Sequence, residues 1–232
     1  MSPEHDTSRR YRYLDLLINI FVVILIVSNL IAPKFVAAGP LRFSAAQLLF
    51  PITYIFGDVF TEVYGYSASR RAIWTGFMAA AIMTAFGLFA IWLPPAPEFK
   101  DQSAYETIFG AIPRNVAGSL LAYGAGEFAN SLTVAKMKLW TKGRHLWTRT
   151  VGSTIVGQAV DTTIVILFIF GGHEPWPVIL TLIYSGYLFK VVYEVLATPL
   201  TYLIVNFLKR AEGVDFFDRE TNFNPFRLRR ES

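Results

Sequence analysis

Three pairs of polar residues stand inside long apolar runs, at spacings that a helix turns to one face. Glu127 and Asn130, Gln158 and Asp161, and Lys190 and Glu194 are three or four positions apart. A charge at the centre of a membrane-spanning helix costs about 2.5–3.5 kcal/mol on insertion scales. Such residues face a bundle interior, pair with one another or line a polar path. The chemistry they suit is recognition: carboxylates and amides accept hydrogen bonds from a polar solute, and lysine donates them. The competing reading is a structural network in which Lys190 is the counter-ion. Several carboxylates around one lysine leave an excess of negative charge, which must be protonated, solvated or matched by a cationic ligand.

Weaker signals flank these pairs. Lys190 and Glu194 could pair within their helix, although lysine before glutamate is the less favourable order. Asp58 and Glu62 lie four apart near the end of a shorter apolar run, close to Tyr64. They could pair with Arg70 or Arg71, bind a cation, or serve gating or coupling. The plain alternative is a solvated helix end. Asn29 could bond a neighbouring helix, and Lys34 could reach toward lipid headgroups.

The elements that must position these groups are membrane spans. Hydrophobic residues make up 53% of the 232, and charged residues 16%, with mean hydropathy +0.42. A soluble domain carries nearer a quarter charged residues. One span needs about 20 residues. Breakers divide the apolar sequence into six candidates: Leu14–Ile31, 43–62, Ala72–Leu93, Ile112–Met137, Thr150–Phe170 and Pro177–Leu208. The chain therefore reads as an all-α membrane protein, one integral domain over residues 1–232 with a tail over 209–232. The last run is long enough to be tilted, to extend past the bilayer, or to break near Ser185-Gly186 or Pro199. Trp92 and Trp176 suit the interface. The first run reads as a retained span, not a cleaved signal peptide.

Basic residues orient the spans. With the N-terminus inside, the inner segments hold sixteen of the 21 lysines and arginines, from Arg9, Arg10 and Arg12 to Arg227, Arg229 and Arg230. The outer segments hold Lys34, Arg42, Lys100 and Arg114. The positive-inside rule then places both termini in the cytoplasm of a multi-pass inner-membrane protein. The tail from Glu212 onward reads as disordered or interfacial.

Enzyme chemistry has little to work with. There is no cysteine, so no disulfide or thiolate site. His5, His145 and His173 fall near ends or in loops. The chain lacks a phosphate-binding glycine loop, H-E-x-x-H and G-x-S-x-G. Neither an enzymatic activity, a cofactor nor a bound metal is expected. The expected partners are a small solute and the lipid bilayer, not nucleic acid. Gly118, Ala122 and Gly126, with Ser153 and Gly157, form small-residue ladders that let helices approach closely within the bundle, or, as the lesser reading, in a homodimer. Uphill transport would draw on an ion gradient, a separate ATPase module or trapping of the solute inside the cell.

The stretch Gly57-Asp58-Val-Phe-Thr-Glu-Val-Tyr-Gly-Tyr66, followed by Arg70-Arg71, resembles the queuosine precursor transporters, also known as vitamin uptake transporters. Further pieces agree: Asn29 through Lys34, Gly157-Gln158 with Asp161-Thr162, Lys190 with Pro199, and Glu212-Gly-Val-Asp215 leading to Phe223-Asn-Pro-Phe226. The resemblance implies an importer of 7-cyano- and 7-aminomethyl-7-deazaguanine, precursors of the tRNA nucleoside queuosine. It also implies a six-helix bundle similar to the substrate-binding components of energy-coupling-factor transporters. A deazaguanine suits the residues above. Its N1–H and exocyclic amine face a carboxylate among Glu127, Asp161 and Glu194. Asn29, Asn130, Gln158 and Lys190 supply further hydrogen bonds, and Asp58, Glu62 and Tyr64 serve gating or coupling.

Overall fold

The first apolar run forms helix α1, Leu14–Ile31, with the bounds expected from sequence. Leu14, Ile18, Phe21 and Leu25 form its buried stripe, a spacing of four, three and four. Leu16, Ile20, Val23 and Leu30 lie on its exposed faces. Contiguous exposed apolar surface would be a liability in water; facing lipid tails it is the ordinary outer wall of a bundle. The computed structural model describes residues 11–32, 34–38, 41–110, 112–172, 175–219 and 221–226. His5, His173 and the basic residues Arg9, Arg10, Arg227, Arg229 and Arg230 lie outside the described residues.

After α1 the chain departs from the expected pattern. Strands β1, Phe35–Ala38, and β2, Leu41–Ser44, pair antiparallel with Phe35 opposite Ser44. A 3-10 turn over Ala45–Leu48 leads into α2, Phe50–Val59. The second apolar run, expected to be helical from residue 43, therefore becomes helix only after a short hairpin. Phe35, Val36 and Phe43 are residue types that suit strands. Helix α2 runs on into one wide π turn over Phe60–Tyr64, every residue of which is buried. Gly65 ends it with φ +88°, which a side chain would strain, and the ring of Phe216 occupies the place of a Cβ.

Four long helices follow, with one short one among them: α3, Tyr66–Trp92; α4, Gln102–Gly110; α5, Ile112–Trp140; α6, Leu146–Phe170; and α7, Trp176–Glu212. The short α4 sits in the proline-rich connection, where no helix was expected. Helix α7 is one 37-residue helix with Pro199 inside it, so of the three alternatives the break near Ser185-Gly186 or Pro199 does not occur. At 1.5 Å per residue it rises about 55 Å and extends past the bilayer. It ends at Gly213, left-handed at φ +62°, whose N–H bonds the Lys209 carbonyl.

Among the described residues four helices are long and apolar enough to cross a membrane: α1, α3, α6 and α7. The protein is a helical, multi-pass membrane protein. The tightest approach is between α5 and α6. A Cβ on Gly126 would sit 2.9 Å from the Gly157 carbonyl oxygen, and a Cβ on Gly157 would sit 2.9 Å from that of Gly126. The small-residue ladders thus pack helices inside one bundle. Phe21, Tyr54, Phe60 and Tyr123 form the aromatic centre of the core.

Candidate functional site

The π turn carries the sequence Phe-Thr-Glu-Val-Tyr and aims Glu62 at helix α6. Arg149 donates from Nη2 to Oε1 at 2.8 Å and from Nε to Oε2 at 3.0 Å, a two-pronged grip. Lys209 of α7 adds a hydrogen bond to Oε1 at 2.6 Å, and Lys138 of α5 stands 3.6 Å from the same oxygen. The suggested pairing of Glu62 with Arg70 or Arg71 is not what forms. Arg70 donates to the carbonyls of Asn222 and Asn224, and Arg71 lies 3.4 Å from Asp15. The guanidinium of Arg149, fixed also by the Arg144 carbonyl and Thr141, is the cation one helix turn reaches.

The C-terminal tail folds back over this end of the bundle. Asp215 bridges Lys138 at 2.6 Å and Lys209 at 2.8 Å. Partial burial alone would raise the Asp215 pKa, but the hydrogen bonds from Lys138 and Lys209 outweigh it and hold the carboxyl below its ordinary value. Lys138 spends its remaining donors on the carbonyls of Glu62 and Phe216. Asp218 accepts from the Tyr66 N–H, and burial pushes its pKa up. Trp74 Nε1 donates to the Pro225 carbonyl at 2.7 Å. The tail over 213–219 and 221–226 is thus a folded strap, where disorder or an interfacial segment was expected. Glu212 accepts from the backbone of Arg12 and Tyr13 and from the Tyr64 hydroxyl, which brings both ends of the described chain to this same basic end.

Deeper in the bundle a second group of acids is arranged differently. Asp58, one turn before Glu62, accepts from Asn130 Nδ2 at 2.8 Å and from Ser153 Oγ at 3.4 Å. Ser153 is one turn from Arg149, so Asp58 and Glu62 meet the same stripe of α6. Glu127 of α5 lies against Gly57, where a Cβ would collide with its carboxylate. Glu194 of α7 lies within electrostatic range of both Asp58 and Glu127. All three are at most 1% exposed. Both oxygens of Glu194, Oδ2 of Asp58 and Oε2 of Glu127 have no hydrogen-bond partner among the described residues. Among the described residues no lysine, arginine or histidine stands within ion-pair distance of them.

The nearest lysine in sequence is already engaged. Lys190 hydrogen-bonds Asp161 across to α6 and does not pair with Glu194 on its own helix. Of the residues singled out from sequence, Asp58, Glu127, Asn130 and Glu194 come together. Asp161 and Lys190 form a pair of their own, and Gln158 is buried with its Oε1 unpartnered. Asn29 is buried, but its amide donates to the Leu25 carbonyl of its own helix. Glu62 and Tyr64 belong to the strap end.

Residues 44–204 match the family described as "Putative vitamin uptake transporter". The chain belongs to the vitamin uptake transporter family. A further relative is the "Probable queuosine precursor transporter" of Bacillus subtilis (strain 168), 33% identical over 179 residues, which cover 75% of this chain and 77% of that protein. No solved structure matches this chain. As a vitamin uptake transporter the chain is a carrier and not an enzyme. The Thr61–Gly65 motif that marks its resemblance to the family is the π turn and its closing glycine.

Sequence reasoning did not join Arg149, Lys138, Lys209 and Asp215 to Glu62. The first three counted only toward orientation. Their positions, facing one another near the ends of three apolar runs, were the available signal.

Proposed function

We propose that this transporter imports 7-cyano- and 7-aminomethyl-7-deazaguanine across the inner membrane, with both termini in the cytoplasm. The observation that carries the reading is the set of buried, unpartnered carboxylate oxygens on Asp58, Glu127 and Glu194. Left dry and empty, such groups cost free energy. A deazaguanine edge satisfies them, because N1–H and the exocyclic amine are adjacent donors that one carboxylate accepts side-on. The name of the Bacillus relative supports the substrate class.

In this reading six segments cross the bilayer: α1, α2 with its π turn, α3, α5, α6 and α7. This reading keeps the likeness to the substrate-binding components of energy-coupling-factor transporters that the family resemblance implies. Glu127 or Glu194 holds the guanidine-like edge, and Asn130 and Gln158 complete the polar lining. The Asp161–Lys190 pair and Asn29 border it. Tyr54 and Tyr123, edge to face at 5.6 Å, offer a ring for stacking, a contact worth about 1–3 kcal/mol per base in nucleic-acid systems. Glu62, Tyr64 and the strap close the cytoplasmic end.

The test is restoration of queuosine in tRNA. Bacteria lacking precursor synthesis and their own importer are given this protein and fed nanomolar precursor. Queuosine returns, and Glu127→Gln or Glu194→Gln abolishes the return at low dose. Absence of queuosine despite confirmed membrane insertion would move the substrate to another nucleobase or vitamin.

A further inference from the structure

We infer that the site selects a cationic ligand, so that 7-aminomethyl-7-deazaguanine is bound well ahead of its neutral 7-cyano counterpart. The inference rests on the substrate class proposed above and deepens it. The two precursors share the guanine-like edge and the flat ring. They differ at the 7-substituent, a primary ammonium at neutral pH in one and an uncharged nitrile in the other.

The charge count separates them. Asp58, Glu127 and Glu194 share one buried region, within electrostatic range of one another, and no cation reaches ion-pair distance among the described residues. Lys190, which could have neutralised one of them, is committed to Asp161. A deazaguanine edge occupies one carboxylate, which leaves two acids uncompensated. Those two require either protons or a positive charge. A second, independent feature is the neutral Asn130, fully buried and bonded to Asp58 through its amide nitrogen, with its Oδ1 unpartnered. Its amide hydrogens are spent on the acids, on Asp58 and on Glu127, so what it keeps for a ligand is an acceptor. Ammonium has three donors and no acceptor, which suits this acceptor-rich wall. A nitrile has only an acceptor nitrogen, and among these four side chains it finds a free donor only in an acid that has taken up a proton.

Calorimetric titration of the purified protein in detergent decides the matter, with each precursor and with unsubstituted 7-deazaguanine as a neutral reference. The 7-aminomethyl compound binds at least tenfold more tightly than the 7-cyano compound. Glu194→Gln and Asp58→Asn, each checked for a monodisperse elution profile, shrink that ratio toward one. A ratio within threefold in the unaltered protein, with both compounds binding, overturns the inference and leaves the substrate class standing. An unchanged ratio in both variants overturns it as well. If monodisperse protein binds none of the three compounds, the proposed substrate class fails and the inference fails with it.

Discussion

Glu62 and Arg149 form a bidentate ion pair in which both partners are 1% exposed. The pair joins the π turn to the start of α6, and Lys138 and Lys209 bring α5 and α7 to the same carboxylate. Four segments of the chain converge on one acid.

Removing one partner of such a pair leaves a buried charge alone, which costs about 3–5 kcal/mol. Glu62→Gln is expected to lower stability by that order, since it strands three cations with only Asp215 to balance them. The Glu62→Gln/Arg149→Met double variant recovers part of the loss, because it removes acid and guanidinium together. Unfolding curves in mixed detergent micelles measure both, and a double variant as unstable as the sum of its singles argues against direct coupling.

Gly157→Ala tests the α5–α6 seam. The new methyl would stand 2.9 Å from the Gly126 carbonyl oxygen and 2.9 Å from Asn130 Cβ, and backbone cannot swing aside. Overpacking of this kind costs about 1–3 kcal/mol. Gly118→Ala is the control. The three atoms nearest its methyl belong to the Phe168 ring, a side chain 42% exposed and therefore able to give way where backbone cannot. The expected order is a clear drop in melting temperature for Gly157→Ala and little change for Gly118→Ala.

Lys190 and Asp161 form a cross-helix pair less deeply buried than Glu62 and Arg149. A double-mutant cycle over Lys190→Met and Asp161→Asn should return a coupling of about 0.5–3 kcal/mol. Zero coupling would mean that the two side chains are not joined in the membrane.

Docking of the strap depends on pH through two acids with opposite shifts. Asp215 is held low by Lys138 and Lys209, so its contribution is full above the ordinary value of about 3.9 and is lost as pH falls through its lower folded value. Asp218 is raised by burial, so docking disfavours its ionised form and gains as pH falls toward 4. The strap is therefore expected to stay docked from neutral pH to about pH 4 and to release below it. The chain has no cysteine, so an environment-sensitive dye on Arg219→Cys reports the transition cleanly. Release between pH 7 and 5 would contradict the assignment.

Much of the fold was legible in the sequence because lipid imposes a simple rule. A segment that crosses must be long, apolar and internally hydrogen-bonded. That rule placed α1 with its bounds and located the cores of α3, α5, α6 and α7. It also made every charge or amide within those runs conspicuous, which is why Asp58, Glu127, Asn130 and Glu194 could be singled out. Local pattern does not say which helix faces which. Whether Lys190 joins Glu194 four residues on or Asp161 twenty-nine residues back is set by how α6 and α7 pack. The partners of Glu62 depend on the π turn that aims it and on three distant segments that meet there. The tail looked too polar to pack, because its anchors are backbone carbonyls offered to Arg70 and Trp74 and carboxylates offered to Lys138 and Tyr66. Those bonds exist only once the helices have brought the donors together. The sequence alone thus determined which groups the membrane must shelter; the tertiary structure decided which of them neutralise one another and which keep oxygens without a hydrogen-bond partner among the described residues.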